Sequence, residues 1–211
     1  MSGLRAKQKA DRHSRILDAA TTLFRENGFD SVKIEAIAAA AEVSIGTIYN
    51  YYQNKGDLLV AIVAMEVNEV LATGEQLILK PPRSAEKAID SLIGNYIEHS
   101  LVYLSKEMWR QAMATAIQQP DSPFGIAYAE LDVALARQVF RLIERLQKLG
   151  MVEPKADAKS LGELIFNNTN MMFTVFVTST TMTVDQLITA IRLQLQPVIG
   201  AMVSFQPHQS A

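Results

Sequence analysis

Within the twelve residues SIGTIYNYYQNK lie Ser44, Thr47, Tyr49, Asn50, Tyr51 and Lys55, side chains suited to binding nucleic acid rather than to making or breaking bonds. A hydroxyl or an ammonium can seat a protein on phosphates, a phenol ring can touch a thymine methyl, and an asparagine can pair bidentately with adenine. Ile45 offers apolar contact alone. Successive residues placed about 100° apart put Ile48 and Tyr52 on one face, Gly46, Tyr49 and Asn50 away from it, and Thr47 and Tyr51 on the flanks. One face packs and the other is free to enter a groove. Lys55 falls at an exposed helix start, where an ammonium beside free backbone N–H groups makes a phosphate clamp.

These residues need a scaffold, and residues 31–57 predict one. Ile34, Ile37, Ala38 and Ala41 follow the i, i+3, i+4, i+7 spacing of a helix over about 33–41. Val43 plugs a turn, and Ser44 N-caps a second helix by accepting the Gly46 or Thr47 N–H. Asn54 caps a third, with the Asp57 carboxylate reaching back to the cap N–H. This is the shape of a helix-turn-helix. Ile16, Leu17, Ala20, Leu23 and Phe24 predict a preceding helix that ends at Asn27 and Gly28, completing a three-helix unit. Two short apolar helices and a turn also occur in all-α proteins that never touch DNA, so local pattern leaves both readings open.

The 211 residues allow one large or two modest domains, and their composition is that of a folded, soluble protein. Cysteine is absent, which excludes disulfides, thiolate catalysis and Cys-based zinc sites. His13, His99 and His208 are scattered, without metal-ligand spacing, so no metal or cofactor is expected. No apolar run has the length of a membrane span and no signal peptide is evident, so a cytoplasmic location is expected. The net charge of −2 argues against nucleic-acid binding over the whole surface. Arg5, Lys7, Lys9, Arg12 and Arg15, against the single acid Asp11, nevertheless concentrate positive charge beside the three-helix unit. Residues 1–9 read as a mobile basic arm.

From Asp57 onward the apolar pattern continues as a helix with no flexible linker, and KPPRS at 80–84 is the clearest break. Further helices are predicted from Ser84 to about Leu104, over 106–118, from Phe124 to Gly150, over 158–178 and from Thr183 to about 202. Thr183 and Gln186 form a capping box, and Pro197 should kink or end the last helix. The β-branched run TVFVTSTT could be mistaken for a strand, and we read it as helix. The fold class is therefore all-α with about nine helices: residues 1–57 as reading domain and 58–211 as a second helical domain.

Taken together, ILDAATTLFRENGFDSVKIEAIAAAAEVSIGTIYNYYQNKGDLL, from Ile16 to Leu59, resembles the TetR family of bacterial transcriptional regulators. The resemblance covers about a quarter of the chain with motif specificity. It implies base-facing roles for Ile45, Gly46, Tyr49 and Asn50 and phosphate-facing roles for Thr47, Tyr51 and Lys55, with Ser44 and Lys33 beside them. Three positions depart from the family pattern. Val32 stands where a capping threonine is usual, leaving Ser31 or Lys33 to substitute; Glu42 replaces a turn glycine; and Gly56 occupies a position that is often acidic.

The resemblance also implies a second domain that binds a small molecule and dimerises. Asn95, His99, Tyr103, Asn167 and Asn170 are the candidate polar anchors of an apolar pocket. Met108, Trp109, Met113, Phe124, Tyr128, Phe166, Met171 and Phe173 are its candidate walls. Such side chains at helical spacing are more often plain core. A homodimer would use Leu161, Leu164, Ile165, Asn168, Met172 and Val175 with Ile188, Ile191, Leu195, Val198 and Met202. The implied function is a ligand-responsive regulator, a repressor that binds a palindromic double-stranded DNA operator and is released by a small, largely apolar effector. The competing readings are an apolar-ligand carrier without specific DNA function and a non-regulatory DNA-organising role. An enzyme is disfavoured, because no triad, metal cluster or phosphate-cradling glycine loop is present.

Overall fold

The computed structural model describes the backbone of residues 2–203 and the side chains of residues 6–203. Met1, the Arg5 side chain and His208 lie outside the described residues. Nine α-helices follow one another among them: α1 Ser2–Asn27, α2 Ile34–Ala40, α3 Ile45–Tyr49, α4 Lys55–Leu79, α5 Ala85–His99, α6 Lys106–Gln118, α7 Pro123–Lys148, α8 Ala158–Thr178 and α9 Val184–Val203.

Several boundaries differ from the sequence expectation, each for a local reason. The arm expected over residues 1–9 is helical from Ser2, since Leu, Arg, Ala, Lys and Gln are all good helix formers and nothing after Gly3 interrupts them. α5 ends at His99 rather than near Leu104, and Ser105 opens α6 by accepting the Met108 N–H. The β-branched end of α8 stays helical, with the Thr169, Thr174 and Thr178 hydroxyls donating one turn back to the Ile165, Asn170 and Thr174 carbonyls. α9 runs past Pro197 to Val203, with that ring on an exposed face. The Thr183–Gln186 capping box is present in both directions, at 2.9 and 3.2 Å.

The chain divides into two compact units, one of residues 1–66 and 101–129 and the other of residues 67–100 and 130–211. The first thus takes in α6 and the opening turns of α7 as well as the three-helix head. Its core is built from Ile16, Leu17, Ala20 and Phe24 of α1, Ile37 and Ala38 of α2, Ile48, and Leu58, Leu59 and Ile62 of α4. Glu107 of α6 accepts the Phe29 N–H at 3.3 Å, and Arg25 donates to the Val102 carbonyl. These bonds hold the loop after α1, where Gly28 adopts a φ of +79° and closes the helix.

In the second unit α9 packs on α5 and α8 around Ile89, Leu92, Ile93, Ile165, Leu187, Ile191 and Leu195. A polar network runs from this core, where Tyr96 and Gln138 are buried, out to Glu75 and Arg141 at the surface. Tyr96 donates to Gln138 Oε1 at 2.8 Å, and Gln138 Nε2 donates to the Leu71 carbonyl and to Glu75 Oε1, each at 2.8 Å. Arg141 grips both oxygens of Glu75 at 2.7 Å. Those bonds from Arg141 and Gln138 hold the Glu75 carboxyl below its usual range, while burial pushes the Tyr96 phenol up and keeps it a neutral donor.

Candidate nucleic-acid interface

Ser44 opens α3 with extended backbone, and its Oγ accepts the Thr47 N–H at 3.1 Å while pairing with the Thr47 hydroxyl at 2.8 Å. Of the two N–H donors the sequence offers, Thr47 is the one used. The preceding turn is tight because Glu42, in place of a glycine, takes a left-handed φ of +54°. Its side chain stays exposed, 3.6 Å from Arg15. α2 begins without a side-chain cap at Lys33. Ser31 donates to the Asn27 and Gly28 carbonyls, finishing α1 instead, and Val32 is buried in the core. Neither Ser31 nor Lys33 therefore replaces a capping threonine.

α3 is sharply two-faced. Ile48 is fully buried, whereas Ile45 is 40% and Tyr49 52% exposed. Gly46 and Asn50 share the exposed side, and a Cβ placed on Gly46 would meet nothing closer than Ser44 Oγ at 3.9 Å. Thr47 and Tyr51 are half-buried on the flanks, and Lys33 and Ser44 are exposed. The exposed edge offers a methyl-rich side chain, bare backbone, a phenol and a carboxamide, a set able to meet base edges in a major groove.

The C-terminal end of α3 is fastened to α1 by contacts that local pattern did not reveal. Tyr52, predicted as packing, pairs its hydroxyl with His13 Nε2 at 2.8 Å, and burial, aided by neighbouring Tyr51, pushes its pKa up to about 12. Tyr51 donates to the Lys9 carbonyl at 3.4 Å. The signal was the i, i+4 spacing of Lys9 and His13, which puts both on one helical face.

The start of α4 is built as a double cap. Asn54 Oδ1 accepts the Asp57 N–H at 3.1 Å, and the Asp57 carboxylate reaches the Gln53 N–H, one residue before the cap, at 2.7 Å. Lys55 does not extend into solvent. Its ammonium donates to the carbonyls of Phe29, Asp30 and Val32 at 2.5, 2.9 and 3.0 Å and sits 4.6 Å from the centre of the Phe29 ring.

Residues 16–62 match the sequence profile of the bacterial regulatory proteins of the tetR family. The DNA-reading head is of the TetR type. Over 164 residues the chain is 29% identical to the HTH-type transcriptional repressor KstR of Rhodococcus jostii, a match covering 77% of this chain and 71% of that protein. It is 33% identical over 81 residues to the fatty acid metabolism regulator protein of Bacillus subtilis, which spans 38% of this chain and 42% of that one. The TetR-type fold is shared with the solved structure of Thermus thermophilus FadR in complex with lauroyl-CoA, with a TM-score of 0.66, 18% identity and coverage of 94% of this chain and 98% of that chain.

The candidate ligand residues fall in both units. Tyr103, Met108, Trp109, Met113, Phe124 and Tyr128 belong to the first, where Met108 and Trp109 are buried and the Phe124 and Tyr128 rings stack at 6.5 Å. Asn95, His99, Phe166, Asn167, Asn170, Met171 and Phe173 belong to the second. There Asn95 donates to the Val70 carbonyl at 3.0 Å and His99 Nε2 lies 3.3 Å from Glu69. Phe166 and Phe173 are buried, Asn167 is exposed, and Met171 is 62% exposed on the outer face of α8. Asn170 donates to Asp132, whose carboxyl is pushed up to about 6 by burial despite that bond. Asp132 and Gln138 were not singled out from sequence, although both interrupt the apolar stripe of α7.

Proposed function

We propose that this protein is a ligand-responsive transcriptional repressor that reads a palindromic operator as a homodimer and is released by a small, largely apolar effector. The observation that carries the reading is the division of α3, with Ile48 sealed in the core and Ile45, Gly46, Tyr49 and Asn50 presented together on its open side. Ile45 and Tyr49, one turn apart, place two large side chains on one exposed edge of the helix.

The dimer reading rests on α8 and α9. Leu164, Met171 and Val175 of α8 and Leu193 of α9 are exposed apolar residues, whereas Ile165, Ile191, Leu195 and Met202 are used up in the core of the second unit. The self-associating face is therefore narrower than periodicity implied. Asn168 bonds to Gln194 at 2.6 Å and Gln194 to the Met172 sulfur at 3.3 Å, tying the two helices together at the surface. The effector class to test first is a fatty-acyl thioester, on the strength of the fatty acid regulator among the relatives and of the lauroyl-CoA in the structure with this fold. Effector binding would act as a coupling free energy between two sites, with α4, which belongs to both units, as its physical carrier.

The test is binding of the full-length protein to duplex DNA from upstream of its own coding sequence, at fixed salt, against random DNA of equal length. Wild type should prefer the upstream duplex, Tyr49→Ala and Asn50→Ala should erase that preference, and lauroyl-CoA should weaken the specific complex. Equal affinity for the two duplexes would sink the regulator reading, and an unchanged complex with lauroyl-CoA would sink the effector class alone.

A further inference from the structure

We propose, resting on the DNA-reading role of α3, that His13 of α1 is a positioning residue for operator recognition: its bond to the Tyr52 hydroxyl fixes the rotation of α3 and so the direction in which Tyr49 and Asn50 are presented. His13 stands three and four residues before Ile16 and Leu17, both buried, so it continues the core-facing stripe of α1 one turn further out. That places an imidazole against the segment that follows the exposed edge of α3.

α3 has five residues, too few for a helix to hold its own orientation. The Ser44 cap belongs to the same segment and turns with it. Ile48 is fully buried, but apolar packing is non-directional and resists withdrawal of the helix better than rotation about its axis. Tyr52 supplies what Ile48 lacks. Its N–H donates to the Ile48 carbonyl at 2.9 Å and its ring is buried, so its hydroxyl is tied to the helix. The 2.8 Å bond from that hydroxyl to His13 Nε2 is a directional link from α3 to α1. Burial keeps the Tyr52 phenol neutral, with its pKa pushed up to about 12. The His13 ring also lies 5.9 Å from the Tyr51 ring and 5.8 Å from that of Tyr52. The bond from the Tyr51 hydroxyl to the Lys9 carbonyl, at 3.4 Å, is longer and weaker. Tyr49 and Asn50 fall between Ile48 and this tyrosine pair, and both ends of that short span are held.

The experiment compares full-length wild type, His13→Leu, His13→Gln, Tyr52→Phe and the double variant carrying His13→Leu and Tyr52→Phe. Amide hydrogen exchange is followed in the free protein at Asn50, Tyr51 and Tyr52, whose N–H groups close the last turn. Thermal melts and binding to the upstream duplex and to random DNA at fixed salt complete the set. His13→Leu and Tyr52→Phe should each quicken exchange at those amides. Each should weaken the upstream complex about fivefold, as the loss of one ordinary hydrogen bond would, and leave random DNA within about twofold. The double variant should lose no more than the worse single one, and His13→Gln, whose carboxamide reaches the place of Nε2, should recover most of the loss. Wild-type exchange in both single variants, additive losses in the double variant, or faster exchange throughout the head with equal losses on both duplexes overturns the proposal. If wild type binds the two duplexes equally, the operator reading fails, and exchange at the three amides still decides whether His13 fixes α3.

Discussion

A Cβ on Gly74 would sit 2.1 Å from Oε1 of Gln138, so this glycine in the last third of α4 is the space into which a buried amide fits. Helix propensity alone would favour alanine at this position by about 1 kcal/mol. Gln138 cannot retreat, because Tyr96, Leu71 and Glu75 hold it and Leu92 Cδ1 stands 2.9 Å from the same point. Gly74→Ala is expected to cost about 2 kcal/mol, the overpacking loss exceeding the gain in propensity. A urea midpoint equal to or above wild type would show that the network can shift after all.

Glu42 offers the reverse experiment. An L-residue held in the left-handed region is strained by about 1 kcal/mol, and glycine would remove that strain. The looser unfolded chain takes part of it back, leaving an expected gain of about 0.5 kcal/mol for Glu42→Gly. The ion pair with Arg15 is exposed on both sides and its loss should not register. Chemical denaturation of the variant tests this, and a clear loss of stability would mean that Glu42 has a favourable contact beyond Arg15.

Asp132 predicts a pH dependence. Its folded pKa, about 6, lies above the ordinary 3.8, so ionisation is harder in the folded protein than in the unfolded chain. Its stability contribution is therefore fully present below about pH 4 and is lost as pH rises through 6. Asp132→Asn should flatten that limb and stabilise the protein at pH 7.5 by about 2 kcal/mol, a figure reduced from the full shift because the side chain is not completely enclosed. Melting temperatures from pH 4 to 8 would decide it: parallel curves for variant and wild type contradict the prediction.

Ser44 joins stability to reading. Ser44→Ala removes the acceptor for the Thr47 N–H and is expected to cost about 1 kcal/mol. Because the cap orients the first turn of α3, upstream-DNA affinity should fall as well, while affinity for random DNA changes less. A loss of stability with specific binding intact would separate the cap from the interface.

The sequence by itself determined the helices and their faces. The threes-and-fours spacing of Ile34, Ile37 and Ala38 and of the α7 stripe, together with the caps at Ser44, Asn54 and Thr183, are local signals that operate within one or two turns. They sufficed to place the exposed edge of α3, because which side of a short helix is apolar is written in consecutive residues. Pattern was weaker at ends governed by propensity against solvent, hence the helical start of α1 where an arm was expected. What only the tertiary structure decided were the partners of polar groups far apart in sequence. The carbonyls of Phe29, Asp30 and Val32 that meet Lys55, and the Tyr52 hydroxyl that meets His13, lie more than twenty residues away and leave no mark on local pattern. Likewise Ile165, Ile191 and Leu195 look the same on a helical wheel whether a neighbouring helix or a second copy covers them; packing of α9 on α5 and α8 assigns them to the core. A side chain's type fixes what it can bond to, but long-range packing fixes which of those bonds are made.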